Sequence, residues 1–317
     1  MPRKKNGTFR HFCAARKTTN SKKLYYMVQK AIVLVAGLGT RFLPLSKVVP
    51  KEFWPVVDRP MVQYIAEEAA DSGINHIIFV VPPGRKIIFD YFKKPAKQLE
   101  KILKARKKEV LLERLKKIEE TFRKISFSFV VEKEPLGDGH AILQAKRLIG
   151  KNPFAVLFDD DLVESKKPCL YQLIQVFKTC QKSVLALHRL PREKLSSYGV
   201  VGVEKIANRF HKIKKIIEKP SPGEAPSDLT VVGKYVLTPE VFGYLQKLPP
   251  NSRGEIILAD ALGKMIQDGK LVYGYEFEGE WRECGNMQAY LETNFHYALK
   301  HPEYGPQLKK FLKSNYN

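Results

Sequence analysis

The stretch that decides the fold runs from Ala31 to Pro60 and reads AIVLVAGLGTRFLPLSKVVPKEFWPVVDRP. Its first five residues, Ala31–Val35, are all apolar, which predicts a buried strand. The chain then turns on two glycines, and three spaced cations follow: Arg41, Lys47 and Lys51. A strand that ends in such a turn is typical of an open α/β sheet, in which ligands bind beyond the carboxyl ends of the strands.

Short apolar runs alternate with helical patterns through the middle of the chain. This alternation predicts a largely parallel sheet that helices cover on both faces. Further strands are predicted at His76–Val81, Ser126–Val131, Phe154–Phe158 and Ser183–His188. A helix is predicted over Met61–Ser72, because apolar residues recur there at helical spacing, and Gly73 is placed to end it.

A charged segment between the second and third strands has apolar residues at intervals of three to four. This spacing predicts one long or two short amphipathic helices. The apolar stripe consists of Leu99, Ile102, Leu103, Val110, Leu111, Leu115, Ile118 and Phe122. We expect the stripe to pack into the core rather than to bind a partner.

The last third of the chain predicts a subsidiary, partly antiparallel β region. Its strands are expected at Gly199–Glu204, Lys212–Glu218, Thr230–Leu237 and Leu271–Glu278. A final helical pattern covers Asn286–Leu299 and is expected to pack against the body or against a second subunit. The predicted domain organisation is a basic, disordered extension at 1–26 and one domain at 27–317, with a helical insertion at 84–125 and a C-terminal helical segment at 286–317.

The formal net charge is +22, and its density is highest at the amino terminus. Residues 1–26 hold eight Lys or Arg and no acid, and the remaining 47 basic and 33 acidic residues leave +14. A transit peptide, or a start of translation at Met27, would explain the basic residues 1–26, so we do not expect nucleic acid as a partner.

No apolar run approaches the roughly 20 residues that span a bilayer, so we expect no membrane association. The four cysteines lack metal-site spacing, which favours reduced thiols and a cytoplasmic location.

The turn behind the first strand has the chemistry of a phosphate site. Gly37 and Gly39 leave backbone N–H groups open to an anion, and Arg41 and Lys51 can bind phosphate oxygens. Phe42 occupies the place of the third glycine of a dinucleotide fingerprint, and no Gly-Lys-Ser/Thr follows, so neither that motif nor a P-loop is present. The cations and exposed amides suit a triphosphate, although a plain turn with surface lysines has the same composition.

A second motif supplies carboxylates for a metal. Asp159, Asp160 and Asp161 follow the predicted strand Phe154–Phe158, and three adjacent carboxylates need a cation or capping amides. Mg²⁺ binds hard oxygens, commonly one or two carboxylates together with substrate phosphates. We expect one Asp to be a metal ligand and the alternating strand direction to turn its neighbours elsewhere. The alternative is an Asp-rich turn or a helix N-cap.

Several motifs in order carry a family resemblance over Val28 to Leu312. They read AGLGTRFLPLSKVVPKE, PVVDRPMVQYI, EKEPLGDGHAI, FDDDLV, SSYGVVGVE, IIEKPSPGEAPSDL, VVGKYVLTPEVF, GEIILADAL and ECGNMQAY. In this order and spacing, the chain resembles the bacterial UTP–glucose-1-phosphate uridylyltransferases, which are sugar-phosphate nucleotidyltransferases. The resemblance implies an α/β fold with a Rossmann-like mixed, mainly parallel sheet between helices. It also implies Mg²⁺, the substrates UTP and glucose 1-phosphate, the products UDP-glucose and pyrophosphate, and a homo-oligomer, a dimer or tetramer.

The resemblance assigns roles at the matching positions. The catalytic residues it implies are Arg41, Lys51 and Lys219; those for the nucleotide are Ala36, Gly37, Leu38, Gly39, Glu132 and Gly137; those for the sugar phosphate are Gly199, Glu218 and Lys219; those for the metal are Asp160 and Glu283. Because the phosphate of glucose 1-phosphate is already anionic, no general base is needed. We therefore expect His140 to order a loop rather than to move a proton.

Several residues depart from the family's pattern, and three of them belong to the predicted site. Glu132 stands where the family has a Gln that reads uracil, and an ionised carboxylate can only accept hydrogen bonds, which would suit the neighbouring donors of guanine. Protonation of Glu132, or a shift in the alignment of this loop, would restore uracil binding. Glu283 replaces an Asp and is one methylene longer. Asp138 replaces an apolar residue in the loop that faces the base.

The function predicted from the sequence is transfer of a nucleotidyl group from UTP to glucose 1-phosphate. One alternative is the same chemistry with another base or another sugar 1-phosphate. A second alternative is a catalytically weak paralogue that binds nucleotide sugar and regulates another enzyme. The retained cations and Asp160 favour an active enzyme, whereas Glu132 and Glu283 keep the alternatives open.

Overall fold

The structure is a computed structural model that describes residues 27–221 and 223–316. The predictions for residues 1–26 lie outside the described residues. The described strands are β1 (Lys30–Leu34), β2 (Pro55–Val56), β3 (Arg59–Pro60), β4 (His76–Val81), β5 (Ser126–Val131), β6 (Phe154–Phe158), β7 (Asp161–Glu164), β8 (Ser183–Arg189), β9 (Gly199–Ala207), β10 (Phe210–Glu218), β11 (Leu229–Leu237), β12 (Val272–Glu276) and β13 (Glu280–Glu283). The described helices are α1 (Met61–Asp71), α2 (Ile87–Lys93), α3 (Lys97–Ala105), α4 (Glu109–Thr121), α5 (Asp138–Gln144), α6 (Lys146–Ile149), α7 (Cys169–Cys180), α8 (Val241–Leu245), α9 (Leu258–Gln267), α10 (Met287–Lys300) and α11 (Gly305–Asn315).

One mixed sheet of nine strands organises the described residues, in the order β5-β4-β1-β6-β11-β8-β12-β10-β9. β5, β4, β1 and β6 run parallel, whereas β11 runs antiparallel to both β6 and β8. The α/β prediction with a mixed sheet between helices is therefore confirmed. The later strands do not form a separate sheet, because β11 inserts between β6 and β8 and joins β9, β10 and β12 to the same sheet.

The two faces of the sheet carry separate apolar cores. Side chains alternate along β1, so Ala31 and Val33 pack on the face covered by α1 and α7, whereas Ile32 and Leu34 pack on the face covered by α5, α8 and α9. Each of these four side chains is at most 9% exposed. Both cores fix β1, and so they fix the position from which the glycine turn departs.

The helical insertion differs from the prediction made for its apolar stripe. The segment forms two helices, α3 and α4, and neither contains a buried residue. Leu99, Ile102, Val110 and Leu111 are 41–65% exposed, while Phe122 is 5% exposed and joins the core. The prediction of core packing is wrong for the four exposed residues, because α3 packs against α4 beyond the edge strand β5 instead of covering the sheet.

The other helix predictions agree with the structure. α1 ends one residue earlier than predicted, and Gly73 follows its C-cap with φ of 89°, a conformation that glycine adopts readily. α10 begins after Asn286, whose side chain accepts a hydrogen bond from the N–H of Ala289. Tyr290 of this helix donates to the carbonyl of Pro55, so α10 packs against the body. None of the described helices combines the length and the apolar character that crossing a membrane requires.

Candidate active site

Two adjoining cavities open where β1 and β6 end, with volumes of about 410 Å³ and about 490 Å³. The first is lined by the predicted residues Ala36, Gly37, Leu38, Gly39, Arg41, Lys51, Glu132, Gly137 and Asp160. The second is lined by the predicted residues Arg41, Asp160, Gly199, Glu218, Lys219 and Glu283. Arg41, Asp138, Phe158 and Asp160 line both cavities, so molecules bound in the two cavities would meet at these side chains.

Strand pairing explains why residues far apart in the sequence meet here. β1 and β6 are parallel neighbours, and Leu34 pairs with Phe158 at their carboxyl ends. The glycine turn that follows β1 therefore lies beside the Asp residues that follow β6. Lys51 Nζ completes the contact by donating to Asp159 Oδ1 at 2.9 Å and to Asp160 Oδ2 at 2.6 Å.

Lys51 and its two partners form a nearly buried charge cluster. The side chains of Lys51, Asp159 and Asp160 are 12%, 5% and 16% exposed. Burial alone would lower the pKa of Lys51, but attraction by Asp159 and then Asp160 outweighs it and raises that pKa well above its usual value. Lys51 is therefore charged, and its ammonium retains a third N–H for a ligand.

The three adjacent carboxylates differ in their pKa. Burial raises the pKa of Asp159 to about 7 and, together with the charge of Asp160, raises the pKa of Asp161 to about 7. Burial also opposes ionisation of Asp160, but Lys51 and then Arg41 lower its pKa below the usual value. The carboxylate oxygens of Asp161 accept hydrogen bonds from the indole N–H of Trp281 at 2.7 Å and from the backbone N–H of Gly233 at 3.0 Å. Asp160 is thus the carboxylate of this run held ionised at the cleft.

Asp160 and Glu283 together offer hard oxygen ligands for a cation. A Cβ atom added at Gly285 would lie 2.9 Å from Glu283 Oε1 and 3.3 Å from Asp160 Oδ2, so both oxygens face one small space that glycine keeps open. Tyr198 donates to Glu283 Oε2 and leaves Oε1 toward that space. Two carboxylates that face one space fit the donor set that Mg²⁺ takes in proteins.

The predicted cations behind the turn divide into two groups. Arg41 is exposed, lines both cavities and makes no hydrogen bond or ion pair with any other described residue, so its guanidinium is open to an anion. Lys47 is also exposed, but it lies outside the lining of both cavities. The expectation that all three cations surround a ligand is therefore wrong for Lys47, because it ends a separate short 3-10 helix, Leu45–Lys47.

Glu132 lies at the far end of the first cavity and is only 4% exposed. Its Oε1 and His140 Nδ1 share a hydrogen bond of 2.7 Å. Burial raises the pKa of Glu132, and the hydrogen bond from His140 opposes that rise only in part. His140 lies in the first turn of α5 and also donates its backbone N–H to the carbonyl of Ile256, so it joins α5 to the segment that precedes α9.

The second cavity is built where β9 begins and β10 ends. Gly199 pairs with Glu218 across these strands, and a Cβ added at Gly199 would lie 3.0 Å from Glu218 Oε2. Lys219 follows with φ of 48°, a left-handed conformation that non-glycine residues rarely adopt. Its backbone N–H donates to Tyr198, and its Nζ lies 3.3 Å from Glu218 Oε1. The backbone therefore fixes one cation and one carboxylate at this cavity.

Other side chains of the site had no role in the sequence prediction. Tyr198 positions Glu283, Phe158 lies on the shared wall, and Tyr235 lines the second cavity. Tyr198 directly precedes the predicted Gly199, and this adjacency was the available signal. Phe158 and Tyr235 are apolar or aromatic strand residues whose pattern indicates only core packing.

A family comparison matches most of the chain. The model of the family described as nucleotidyl transferase matches residues 30–299. A curated UTP–glucose-1-phosphate uridylyltransferase of Staphylococcus haemolyticus is 40% identical over 286 residues, which are 90% of this chain and 98% of that protein. A protein of the same name from Staphylococcus epidermidis is 41% identical over the same share of each chain.

Solved structures resemble the chain over a similar length. UTP-bound UGPase from Acinetobacter baumannii is 36% identical, with a TM-score of 0.84 over 91% of this chain and 100% of that one. A UDP-glucose pyrophosphorylase complexed with UDP-glucose is 35% identical, with a TM-score of 0.78 over 87% of this chain and 100% of that one.

Proposed function

The chain belongs to the nucleotidyl transferase family, and from this premise we propose that it transfers the uridylyl group of UTP to glucose 1-phosphate, giving UDP-glucose and pyrophosphate. The observation that carries the proposal is the pair of adjoining cavities with Arg41 and Asp160 on their shared wall. A phosphate oxygen of glucose 1-phosphate attacks the α-phosphorus of UTP, and the bond between the α- and β-phosphates breaks. The nucleophile is already anionic, so no proton has to leave it.

The first cavity takes the triphosphate. Gly37 and Gly39 present backbone next to Arg41, whose unpaired guanidinium can grip phosphate oxygens with two parallel N–H groups. The third N–H of Lys51 supports the same phosphates while its other bonds hold Asp159 and Asp160. These cations favour the transition state because negative charge moves onto the leaving pyrophosphate.

Asp160 and Glu283 would hold Mg²⁺, because their oxygens face the space that Gly285 keeps open. When bound there, Mg²⁺ would neutralise negative charge on the phosphates. Tyr198 orients Glu283 for this role, and Lys51 keeps Asp160 ionised through the lowered pKa of that carboxyl.

The second cavity takes glucose 1-phosphate. Lys219 neutralises the incoming phosphate, and Glu218 accepts hydrogen bonds from sugar hydroxyls beside the backbone of Gly199. The two cavities hold two polyanions side by side. Most of the catalysis therefore comes from positioning and charge neutralisation.

The surroundings of Glu132 favour uracil over guanine. A guanine edge would need two free acceptor oxygens, whereas one oxygen of Glu132 already bonds with His140. Because burial raises the pKa of Glu132, its carboxyl is held toward the neutral form, which has one donor and one acceptor like the amide of Gln. A neutral Glu132 can therefore keep Oε1 with His140 and donate from a protonated Oε2 to a uracil carbonyl.

This account predicts the effect of Glu132→Gln on UTP binding. In the unchanged protein, the KM for UTP should rise as the pH increases past the raised pKa of Glu132, because the ionised carboxylate cannot donate to uracil. In Glu132→Gln that rise should disappear, and at high pH the variant should have a KM about tenfold lower. The measurement is the KM for UTP of both proteins from about pH 5 to about pH 9.

UTP itself also titrates, but this changes the KM of both proteins equally, so the comparison at each pH cancels it. The control is Glu255→Gln, which makes the same change at another carboxylate on the first cavity and should keep the pH profile of the unchanged protein. Parallel profiles for Glu132→Gln and the unchanged protein would contradict a neutral Glu132.

The proposed activity is tested by pyrophosphate release with glucose 1-phosphate and each of UTP, dTTP, GTP, CTP and ATP. We expect the highest kcat/KM with UTP. A higher kcat/KM with GTP would assign the chain to another base, and release with none of the five would reject the enzyme.

We also propose a cytoplasmic location, because UTP and glucose 1-phosphate are highly charged and do not cross membranes unaided. Assembly into a dimer or tetramer stays a prediction from the family resemblance. The division of the chain at residue 27 and the regulatory alternative also stay predictions from the sequence.

A further inference from the structure

Asp138 is fixed on the wall shared by the two cavities. It begins α5, and its Oδ1 accepts hydrogen bonds from the N–H of Gly139 at 2.7 Å and of Leu258 at 2.9 Å. Leu258 is the first residue of α9, so one oxygen of Asp138 joins the amino ends of two helices. No described residue donates to its Oδ2, which leaves that oxygen available to a bound molecule.

The electrostatic surroundings of Asp138 belong to the second cavity. Burial raises the pKa of Asp138 to about 6, the charge of Glu218 adds to this rise, and Lys219 opposes it. The negative charge of Asp138 in turn contributes to the raised pKa of Tyr235. Glu218, Lys219 and Tyr235 all line the second cavity, so Asp138 lies close to the polar groups of the second cavity as well as on the shared wall.

The chemistry of the Asp138 carboxylate restricts which groups of a ligand it can contact. At neutral pH Asp138 is ionised and can only accept hydrogen bonds. Phosphate oxygens are repelled by it, and a carbonyl or a fluorine brings no proton to it. The neutral group of a sugar phosphate that matches an acceptor oxygen is a hydroxyl.

We propose that Asp138 is a specificity-determining residue, whose Oδ2 accepts a hydrogen bond from a hydroxyl of the hexose. This inference rests on the proposed function and deepens it. With Glu218 on the same cavity, Asp138 makes the sugar site selective for hexose 1-phosphates that present a free hydroxyl at each of two carboxylates. Sugars that lack a donor at the Asp138 contact bind weakly.

The test uses UDP and UDP-glucose, together with UDP-glucose analogues in which fluorine replaces one hydroxyl at position 2, 3, 4 or 6. Dissociation constants are measured by calorimetry on the full chain and on Asp138→Asn. Asparagine keeps the oxygen that accepts from Gly139 and Leu258, and it presents an NH₂ group where the protein had Oδ2. The control is Asp260→Asn, an exposed residue of α9 that lines neither cavity.

In the unchanged protein, one fluorinated analogue should bind about tenfold or more weakly than UDP-glucose, because fluorine cannot donate to the carboxylate. For that analogue alone, Asp138→Asn should reduce the penalty to about threefold or less. UDP should bind both proteins equally, and Asp260→Asn should match the unchanged protein throughout.

Two negative results remain distinguishable. If UDP and UDP-glucose bind as expected but no analogue responds to Asp138→Asn, the role of Asp138 is rejected and the transferase proposal stands. If the unchanged protein binds neither UDP nor UDP-glucose, the proposed function fails and the inference fails with it.

Discussion

Replacing Asp160 with Asn should lower kcat by about a thousandfold or more, because a metal held by an amide instead of a carboxylate loses several kcal/mol of charge stabilisation. Asp160 lies on the wall common to both cavities, and the open space at Gly285 brings it beside Glu283. The Mg²⁺ concentration that gives half-maximal rate should rise in the same variant. The measurements are steady-state rates over a Mg²⁺ titration.

Two comparisons isolate the metal role of Asp160. Glu283→Gln should shift the Mg²⁺ dependence in the same direction, because Glu283 faces the same space. Asp159→Asn removes a neighbouring carboxylate that also bonds Lys51, and we expect its rate to fall much less. Equal losses for Asp159→Asn and Asp160→Asn, with no change in Mg²⁺ dependence, would show that the loss comes from Lys51 and not from a metal.

Replacing Lys51 with Met should destabilise the protein by about 3–5 kcal/mol, because two buried carboxylates lose their shared cation. Lys51 is 12% exposed and bonds both Asp159 and Asp160. Activity should fall together with stability, since the triphosphate loses a cation. Urea unfolding at several pH values measures the difference in the free energy of unfolding.

The pH dependence follows from the carboxylates left behind. Without Lys51, the pKa of Asp159 in the folded protein rises further above the ordinary value of 3.8, and the pKa of Asp160 loses the largest influence that keeps it below that value. A raised pKa stabilises the folded state at low pH, and this advantage is lost as the pH rises through the folded pKa. The loss in free energy of unfolding caused by Lys51→Met should therefore be smallest near pH 4 and largest above about pH 7.

A matched lysine and a second substitution control this experiment. Lys47→Met changes an exposed lysine of the same loop and should alter stability by less than about 0.5 kcal/mol. Adding Asp159→Asn to Lys51→Met should recover part of the lost stability, because one unpaired charge is removed. A Lys51→Met protein as stable as the unchanged one at every pH would contradict the charge cluster.

The meeting of the glycine turn and the Asp run at one cleft could be predicted because each follows a clearly apolar strand. β1 and β6 keep the predicted positions within one residue, and their parallel pairing makes the turn at Gly39 and the carboxylate of Asp160 neighbours. The order of such strands follows from alternation with helices, and the sequence shows that alternation directly. Family motifs then supplied Lys219 and Glu283, which local patterns alone did not indicate.

Other features depend on contacts between distant residues, which composition and periodicity do not encode. The apolar stripe on α3 and α4 has the three-to-four spacing of a helix that packs on a core. It nevertheless lies beyond the edge strand β5, and four of its residues are exposed. Glu132 was predicted to face the base, whereas its pairing with His140 could not be predicted because it depends on the turn between β5 and α5. The anchoring of Asp138 needs α9, which lies 120 residues later in the chain.

The measurement that tests the central claim most directly is the yield of both products from one reaction. UTP, glucose 1-phosphate, Mg²⁺ and the full chain are incubated, and UDP-glucose and pyrophosphate are quantified over time. Direct transfer between adjoining cavities predicts equal amounts of the two products, and no release of pyrophosphate when glucose 1-phosphate is omitted. Pyrophosphate released without glucose 1-phosphate, or neither product formed under any condition, would contradict it.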